Sequence, residues 1–242
     1  MIVSIHQPNF LPWFGYFAKI VRSDVFVILD NVQFTKGGFS NRVKIKSKNG
    51  EGVWLTVPVK VSEGTFRNIN EIQIDYTKKW EKDIENKLRD FYKKAPFVNN
   101  TLQHFVDLFS AKTYSSLGEL NTTLILDIID LLGLRRKTLI AGAMDLPKIS
   151  NNELLIEIIK RIGGDTYLSG LGGKKYMDEE LYYNAGIKII YNDVTVPEYE
   201  QVNGPAFVPN LSIIDMLFNI GIEGTKQLLK TVDISIQNVE KV

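Results

Sequence analysis

The first seventeen residues constrain the fold of this chain more than any other stretch. Ile2 to Ile5 is a short run of strand-forming residues, which stops at the polar sequence His6-Gln7-Pro8-Asn9. Phe17 to Val21 then has the apolar spacing of a helix. A strand, a polar turn and a helix in this order are typical of open α/β sheets, which bind ligands beyond the carboxyl ends of their strands. We therefore expect a ligand site at this turn.

The turn holds side chains that are suited to binding a substrate. His6 is one of only two histidines in the chain, and it is a candidate for phosphate contact or proton transfer. Gln7 and Asn9 can orient a substrate through hydrogen bonds, and Trp13 and Tyr16 can form an aromatic wall. The alternative is a proline-bounded loop with a structural histidine.

A second strand is predicted shortly afterwards. Asp24 to Asp30 is a nearly continuous apolar run, as expected of a strand that is buried on both faces of a parallel sheet. It completes a right-handed βαβ unit with the first strand. Its exit carries Asp30 and Gln33, which we expect beside His6. Asp30 is a candidate base or metal-contacting acid, or alternatively a structural turn aspartate, and no metal site built by the protein alone is predicted.

The middle of the chain changes character twice. Residues 35–75 alternate polar and apolar positions and predict an antiparallel β insertion packed over the ligand edge. Within it, Asn41 and Arg42 are candidates for closing over an anionic ligand, although a solvated strand face also explains this basic stretch. Residues 77–133 predict a helical segment, and Arg135-Arg136-Lys137 is interpreted as its solvated end.

The last third returns to α/β order. Thr166-Tyr167-Leu168-Ser169 predicts a strand, Gly170 to Lys174 a glycine-rich loop, Tyr176 to Asn184 a helix and Ile187 to Tyr191 another strand. A strand, such a loop and a helix start are the parts of a phosphate cradle. The spacing matches neither a Walker A loop nor the dinucleotide fingerprint, so a ligand loop and a tight connection both remain open. The candidate ligand residues are Ser169, Gly170, Gly172 and Lys174.

Composition excludes several classes of protein. The net charge of +1 argues against bulk nucleic-acid binding, and the absence of cysteine excludes disulfides and thiolate chemistry. No apolar stretch is long enough to span a bilayer, so we predict no membrane insertion and a cytoplasmic location. Together the patterns predict one α/β domain over residues 1–235, with an open, mainly parallel, Rossmann-like sheet. A homodimer is a candidate assembly.

The opening motif His6-Gln7-Pro8-Asn9-Phe10-Leu11-Pro12-Trp13 resembles that of the WbqC-like family. The resemblance runs to about residue 221, and its other motifs are Gly15-Tyr16, Asp30, Val32-Gln33-Phe34, Asn41-Arg42, Trp54-Leu55-Thr56-Val57-Pro58-Val59, Gly164-Asp165-Thr166-Tyr167-Leu168-Ser169-Gly170 and Leu211-Ser212-Ile213-Ile214-Asp215. Members commonly occur with genes for surface-polysaccharide and unusual-sugar biosynthesis. The resemblance therefore implies sugar nucleotides and small carboxylic acids as substrates.

The N-terminal half is also distantly similar to pantothenate synthetase and related nucleotidyltransferases. Those enzymes bind ATP at such a strand exit, use loop histidines on the phosphates, and make an acyl adenylate that an amine attacks. The likeness implies ATP and Mg²⁺ as cofactors. This chain departs from the pattern because His6 has no second histidine three residues on, and no lysine-rich serine loop is evident.

Three functions fit these observations. The first is an enzyme that joins a small activated carboxylic acid, such as an amino acid, to an amino sugar nucleotide as an amide. The second is a nucleotidyltransferase or an ATP-independent acyltransferase that uses the same pocket. The third is a non-catalytic protein that binds nucleotide sugars. Only the third predicts no turnover and no dependence on His6.

Overall fold

The structure is a computed structural model, and it describes residues 1–60 and 66–232, apart from the side chain of Asn100. Its strands are β1 (Ile2–His6), β2 (Val25–Ile28), β3 (Arg42–Lys46), β4 (Gly52–Thr56), β5 (Val59–Lys60), β6 (Gln73–Ile74), β7 (Lys137–Ile140), β8 (Thr166–Gly170) and β9 (Lys188–Asn192). Its α-helices are α1 (Phe14–Val21), α2 (Trp80–Tyr92), α3 (Val98–Ser110), α4 (Leu117–Leu131), α5 (Asn151–Ile162), α6 (Glu179–Asn184), α7 (Ile213–Asn219) and α8 (Gly221–Thr231).

Five strands form one sheet in the order β7-β2-β1-β8-β9. All four neighbouring pairs are parallel. The pairing of β1 with β2 places Val3 opposite Val25 and His6 opposite Ile28. The predicted open α/β fold with a parallel sheet is confirmed, and so is the adjacency of the first two strands.

Helices cover both faces of this sheet, as alternate residues of β2 demonstrate. Phe26 and Ile28 belong to the core that α1 completes. Val25 and Val27 belong to a second core, which is completed mainly by α5. Because successive side chains of a strand point to opposite faces, a central strand of such a sheet is apolar at every position. This explains the continuous apolar run of β2 in the sequence.

The strand order reverses at β1. From β1 the chain passes through α1 to β2, and β7 then extends the sheet further in that direction. The chain next returns to the other side of β1, where β8 and β9 complete the sheet. The loops after β1 and β8 therefore leave the carboxyl edge in opposite directions and leave a crevice between them.

The predicted β insertion forms two antiparallel ribbons, β3 with β4 and β5 with β6. The turn between β3 and β4 is tight, and Gly50 adopts a φ of +83° there, which a residue with a side chain rarely tolerates. Residues 61–65 of the predicted insertion, which ran over 35–75, lie outside the described residues.

The helical segment contains α2, α3 and α4, inside the predicted bounds of 77–133. The hydroxyl of Ser116 accepts the backbone N–H of Glu119 at 3.1 Å and caps α4. The Glu119 carboxylate accepts the backbone N–H of Ser115 at 2.7 Å, so each side chain satisfies an N–H group at this helix start.

The interpretation of Arg135-Arg136-Lys137 as a solvated helix end is wrong at its last residue, because Lys137 begins β7. This edge strand has four residues and pairs with β2, placing Lys137 opposite Val25. It is only partly buried, so its sequence lacks the apolar run that marks the central strands.

The predicted helix from Tyr176 to Asn184 is shorter than expected. A 3-10 helix spans Leu171–Tyr176, and α6 begins only at Glu179 because the backbone at Met177 is extended.

The predicted domain end at residue 235 lies outside the described residues. Within residues 1–60 and 66–232, no helix has the length and apolar character needed to cross a bilayer.

Candidate functional site

A cavity of about 550 Å³, called the His6 lobe below, opens at the carboxyl edge of the sheet. It lies in the crevice between the turn after β1 and the loop after β8, where open α/β proteins bind ligands. The lobe is lined by Ile5, His6, Gln7, Asn9, Trp13, Gly15, Tyr16, Lys19, Leu29, Phe39, Leu155, Tyr167, Ser169, Gly170, Leu171, Gly172, Gly173, Asn192, Asp193 and Val194. The structure thus brings together most of the residues that the sequence predicted for the site, from two segments far apart in the chain.

His6 is the last residue of β1, and its ring lies 4.7 Å from that of Tyr16, centroid to centroid. Its Nδ1 is 3.0 Å from the carbonyl oxygen of Gln7. A carbonyl can only accept, so this contact assigns the ring proton to Nδ1 and leaves Nε2 as an acceptor. Burial, reinforced by the nearby Lys19, lowers the pKa of His6 to about 3, so the imidazole is neutral at pH 7.

Lys19 is the main site residue that the sequence reasoning missed. It projects from α1 into the lobe, its side chain is buried, and its Nζ donates to the carbonyl oxygen of Ile5 at 3.0 Å. Burial lowers its pKa from 10.5 to about 7. Among the described residues, no carboxylate forms an ion pair with Lys19. A lysine in an apolar helix usually extends to solvent, which is why its sequence position gave no signal.

Two further polar groups in the lobe have unused hydrogen-bonding capacity. The hydroxyl of Tyr16 and the Oδ1 of Asn192 are buried, and neither has a hydrogen-bond partner within the described parts of the chain. Unpaired buried polar atoms are uncommon in folded proteins and are frequent at ligand sites. Asn192 ends β9; it too was missed, although its position at a strand end could have identified it.

The glycine-rich loop lines the lobe through Ser169, Gly170 and Gly172, as its geometry predicted. From Leu171 to Tyr176 the chain forms a 3-10 helix that includes most of this loop, so the loop does not lead directly into the start of an α-helix. Lys174 is not in the wall of the lobe; its Nζ lies 5.1 Å from the ring centroid of Tyr191.

Trp13 immediately precedes α1 and forms part of the lobe wall. Its ring lies directly over Gly15, where a Cβ atom would come within 2.1 Å of the indole. Only glycine allows this arrangement, because any larger residue would displace the ring. The sequence Trp-x-Gly therefore sets the position of one aromatic wall.

Besides Lys174, four predicted site residues lie outside the lobe, and Asp30 is the most informative of them. Its carboxylate accepts the backbone N–H of Gly142 at 2.7 Å and does not line the lobe. Arg42 packs 4.2 Å from the ring centroid of Trp54 and donates to the carbonyl of Gly37. The side-chain amide of Asn41 donates to the carbonyl oxygen of Val57 at 3.0 Å. Gln33 lines a cavity that adjoins the lobe.

No group of three or more potential metal ligands occurs among residues 1–60 and 66–232. A magnesium ion that accompanies ATP is held largely by the phosphates and water, with one or two carboxylates from the protein. The lobe wall offers a single carboxylate, that of the exposed Asp193.

The fold and the lobe define an open α/β protein with a ligand cavity where the strand order reverses. The model of the WbqC-like protein family matches residues 7–227, and the chain belongs to this family. It is also 32% identical over 228 residues to the uncharacterized protein Rv1507c of Mycobacterium tuberculosis, an alignment that covers 93% of this chain and 96% of that protein. No solved structure matches the chain.

Proposed function

We propose that this protein is an enzyme of surface-polysaccharide or unusual-sugar biosynthesis that forms an amide. Its substrates are a small activated carboxylic acid, such as glycine, and the amine of an amino sugar nucleotide. The observation that carries the proposal is the presence of a neutral His6 and a buried Lys19 in one cavity. Membership of the WbqC-like family supports the link to polysaccharide biosynthesis.

The position of Lys19 supports the proposal that the substrate is an anion. A buried ammonium group without a carboxylate partner is costly, and an anion in the cavity would compensate that cost. The phosphates of a sugar nucleotide and the carboxylate of the acid both supply such an anion. The one acidic residue in the lobe wall, Asp193, is exposed and its charge is screened by solvent, whereas Lys19 is buried, so the lobe favours negative over positive ligands.

The state of His6 supports the proposal that this residue accepts a proton from the attacking amine. When the amine attacks the acyl carbon, a C–N bond forms, the leaving group takes the electron pair of the broken acyl bond, and the nitrogen loses a proton. The free Nε2 of a neutral His6 can accept that proton. The substrate's phosphates beside the ring would raise its pKa and make it a stronger base.

Activation of the acid through an acyl adenylate is the route that the nucleotidyltransferase likeness favours. The carboxylate would attack the α-phosphorus of ATP, and pyrophosphate would leave. The glycine backbone at Gly170 and Gly172 lines the lobe without a side chain and lets phosphates approach closely. Mg²⁺ would arrive with ATP and neutralise charge on the leaving pyrophosphate.

Product analysis tests the proposal. The protein is incubated with ATP, Mg²⁺, a panel of small carboxylic acids and UDP-linked amino sugars, and amide formation is followed by mass spectrometry. We expect AMP, pyrophosphate and amide in equal amounts. His6→Ala should abolish most turnover, whereas His104→Ala, which removes the other histidine at its hydrogen bond with Asp127, should not.

Other products would identify the alternatives. Amide formation from a preactivated acyl donor without ATP would indicate an ATP-independent acyltransferase. Transfer of AMP to the sugar substrate would indicate a nucleotidyltransferase. A non-catalytic binding protein would be indicated by two results together. The sugar nucleotide would bind without turnover on any acid, and the His6→Ala protein would behave like the wild type.

A further inference from the structure

A second cavity of about 620 Å³ adjoins the His6 lobe along the carboxyl edge of the sheet. The two cavities have six wall residues in common, so they are parts of one groove. The shared residues are Gln7, Leu29, Leu155, Tyr167, Ser169 and Gly173. The second part is called the neutral lobe, and the residues that line it alone are Val32, Gln33, Thr35, Asn151, Asn152, Leu154, Tyr176 and Met177.

The two lobes differ sharply in charge. The His6 lobe is lined by the charged side chains of Lys19 and Asp193, together with the neutral imidazole of His6. The wall of the neutral lobe contains no charged side chain among the described residues; its polar groups are amides and hydroxyls, such as those of Gln33 and Thr35. Such a wall cannot compensate a ligand charge, so it favours an uncharged part of a ligand.

The chemistry of the neutral lobe fits a sugar ring. Amide and hydroxyl side chains can donate to and accept from the hydroxyls of a sugar, while Tyr176 and Met177 offer surfaces for its apolar face. The side chains of Gln33 and Thr35 are exposed, and neither forms a side-chain hydrogen bond within the described chain, so both are available to a ligand.

We propose that the neutral lobe binds the uncharged sugar ring of a sugar nucleotide while its diphosphate lies in the His6 lobe. This assignment rests on the proposed function and adds the orientation of the substrate. The bond between the sugar and the diphosphate then lies beside Gln7 and Ser169, which line both lobes. The ring substituents nearest this bond therefore lie between the two lobes. An amine on the part of the ring nearest the diphosphate therefore lies at this junction, next to the lobe that His6 lines.

Binding of two probes tests the orientation. UDP supplies the anionic part alone, and UDP-N-acetylglucosamine adds a neutral sugar that carries the amide of a product. Calorimetry should give about tenfold tighter binding of the second probe, the scale of one or two hydrogen bonds. Gln33→Glu and Thr35→Val should each remove most of that advantage and leave UDP affinity within about twofold. Gln227→Glu, the same change on the exposed surface of α8, should alter neither affinity.

The outcomes separate this inference from the proposed function. Equal weakening of both probes by Gln33→Glu would place the nucleoside in the neutral lobe and overturn the orientation. The orientation is also wrong if the sugar adds no affinity in the wild type, or if both variants keep the full advantage. If Lys19→Met leaves UDP binding unchanged, or if neither probe binds the wild type, the anion site itself fails, and the proposed function with it.

Discussion

The ammonium of Lys19 donates a hydrogen bond of 3.0 Å to the carbonyl oxygen of Ile5, the residue before His6. This contact joins α1 to the end of β1 and holds a cation close to the imidazole. It explains why the charge of Lys19 contributes to lowering the pKa of His6. The pKa of His6 at the strand end therefore depends in part on a lysine thirteen positions further along the chain.

Lys19→Met should weaken the binding of an anionic probe such as UDP by about tenfold or more at pH 6, the scale of a lost charge-assisted hydrogen bond. In the wild type, affinity should fall as pH rises above about 7, because the free protein then loses the Lys19 proton that the complex retains. The variant should lack this decline. Calorimetry between pH 6 and pH 9 measures both effects.

Lys148→Met provides the matched control, because Lys148 is exposed and lines neither the His6 lobe nor the neutral lobe. It should retain wild-type affinity and the same pH dependence. A pH-dependent loss of affinity that persists in Lys19→Met would assign the titration to another group.

Lys19→Met should also stabilise the free protein. The folded pKa is about 7, whereas an unfolded lysine keeps its ordinary value of 10.5. Between these values the unfolded chain binds the extra proton, so this group makes the wild type more stable as pH rises. The variant should gain most at or below pH 7 and progressively less towards pH 10. Thermal melts of both proteins over that range provide the measurement, and a gain independent of pH would contradict a buried charge.

His6→Ala should reduce turnover by about a hundredfold or more, the usual scale for a positioned proton-transfer or charge-stabilising group. The side chain borders a cavity, so the fold should remain intact, as a melting curve can verify. His6→Asn keeps a hydrogen-bond donor but removes the proton acceptor. Turnover close to the wild type in His6→Asn would favour phosphate positioning over base catalysis, and full turnover in His6→Ala would remove His6 from the mechanism.

Substitutions of Asp30 can distinguish a structural role of its carboxylate from a catalytic one. Asp30→Asn can keep an oxygen facing the backbone N–H of Gly142, so a structural role predicts nearly normal turnover. Asp30→Ala leaves that N–H without its partner and should cost about 1–3 kcal/mol of unfolding free energy. Urea denaturation and turnover are measured on both variants. A large loss of turnover in a stable Asp30→Asn protein would support the catalytic assignment.

Much of the fold could be predicted from local patterns. The apolar run of β2, the polar stop after β1 and the capping serine of α4 are each determined by neighbours in sequence. The same rules placed His6 and Gly172 at strand ends, and a parallel sheet brings strand ends to one edge. That is why two segments more than 160 positions apart could be assigned to one site.

Other features depend on packing between distant elements, and the sequence could not reveal them. Lys19 looks like a solvated helix residue, and only the folded chain buries it and gives it the Ile5 carbonyl as a partner. The contact between Asp30 and Gly142 is likewise invisible in the sequence, because the two residues are 112 positions apart. β7 has a sequence of mixed character and becomes a strand through pairing with β2. Burial and partner choice are properties of the assembled chain, because the dielectric environment and the available hydrogen bonds are set by residues remote in sequence.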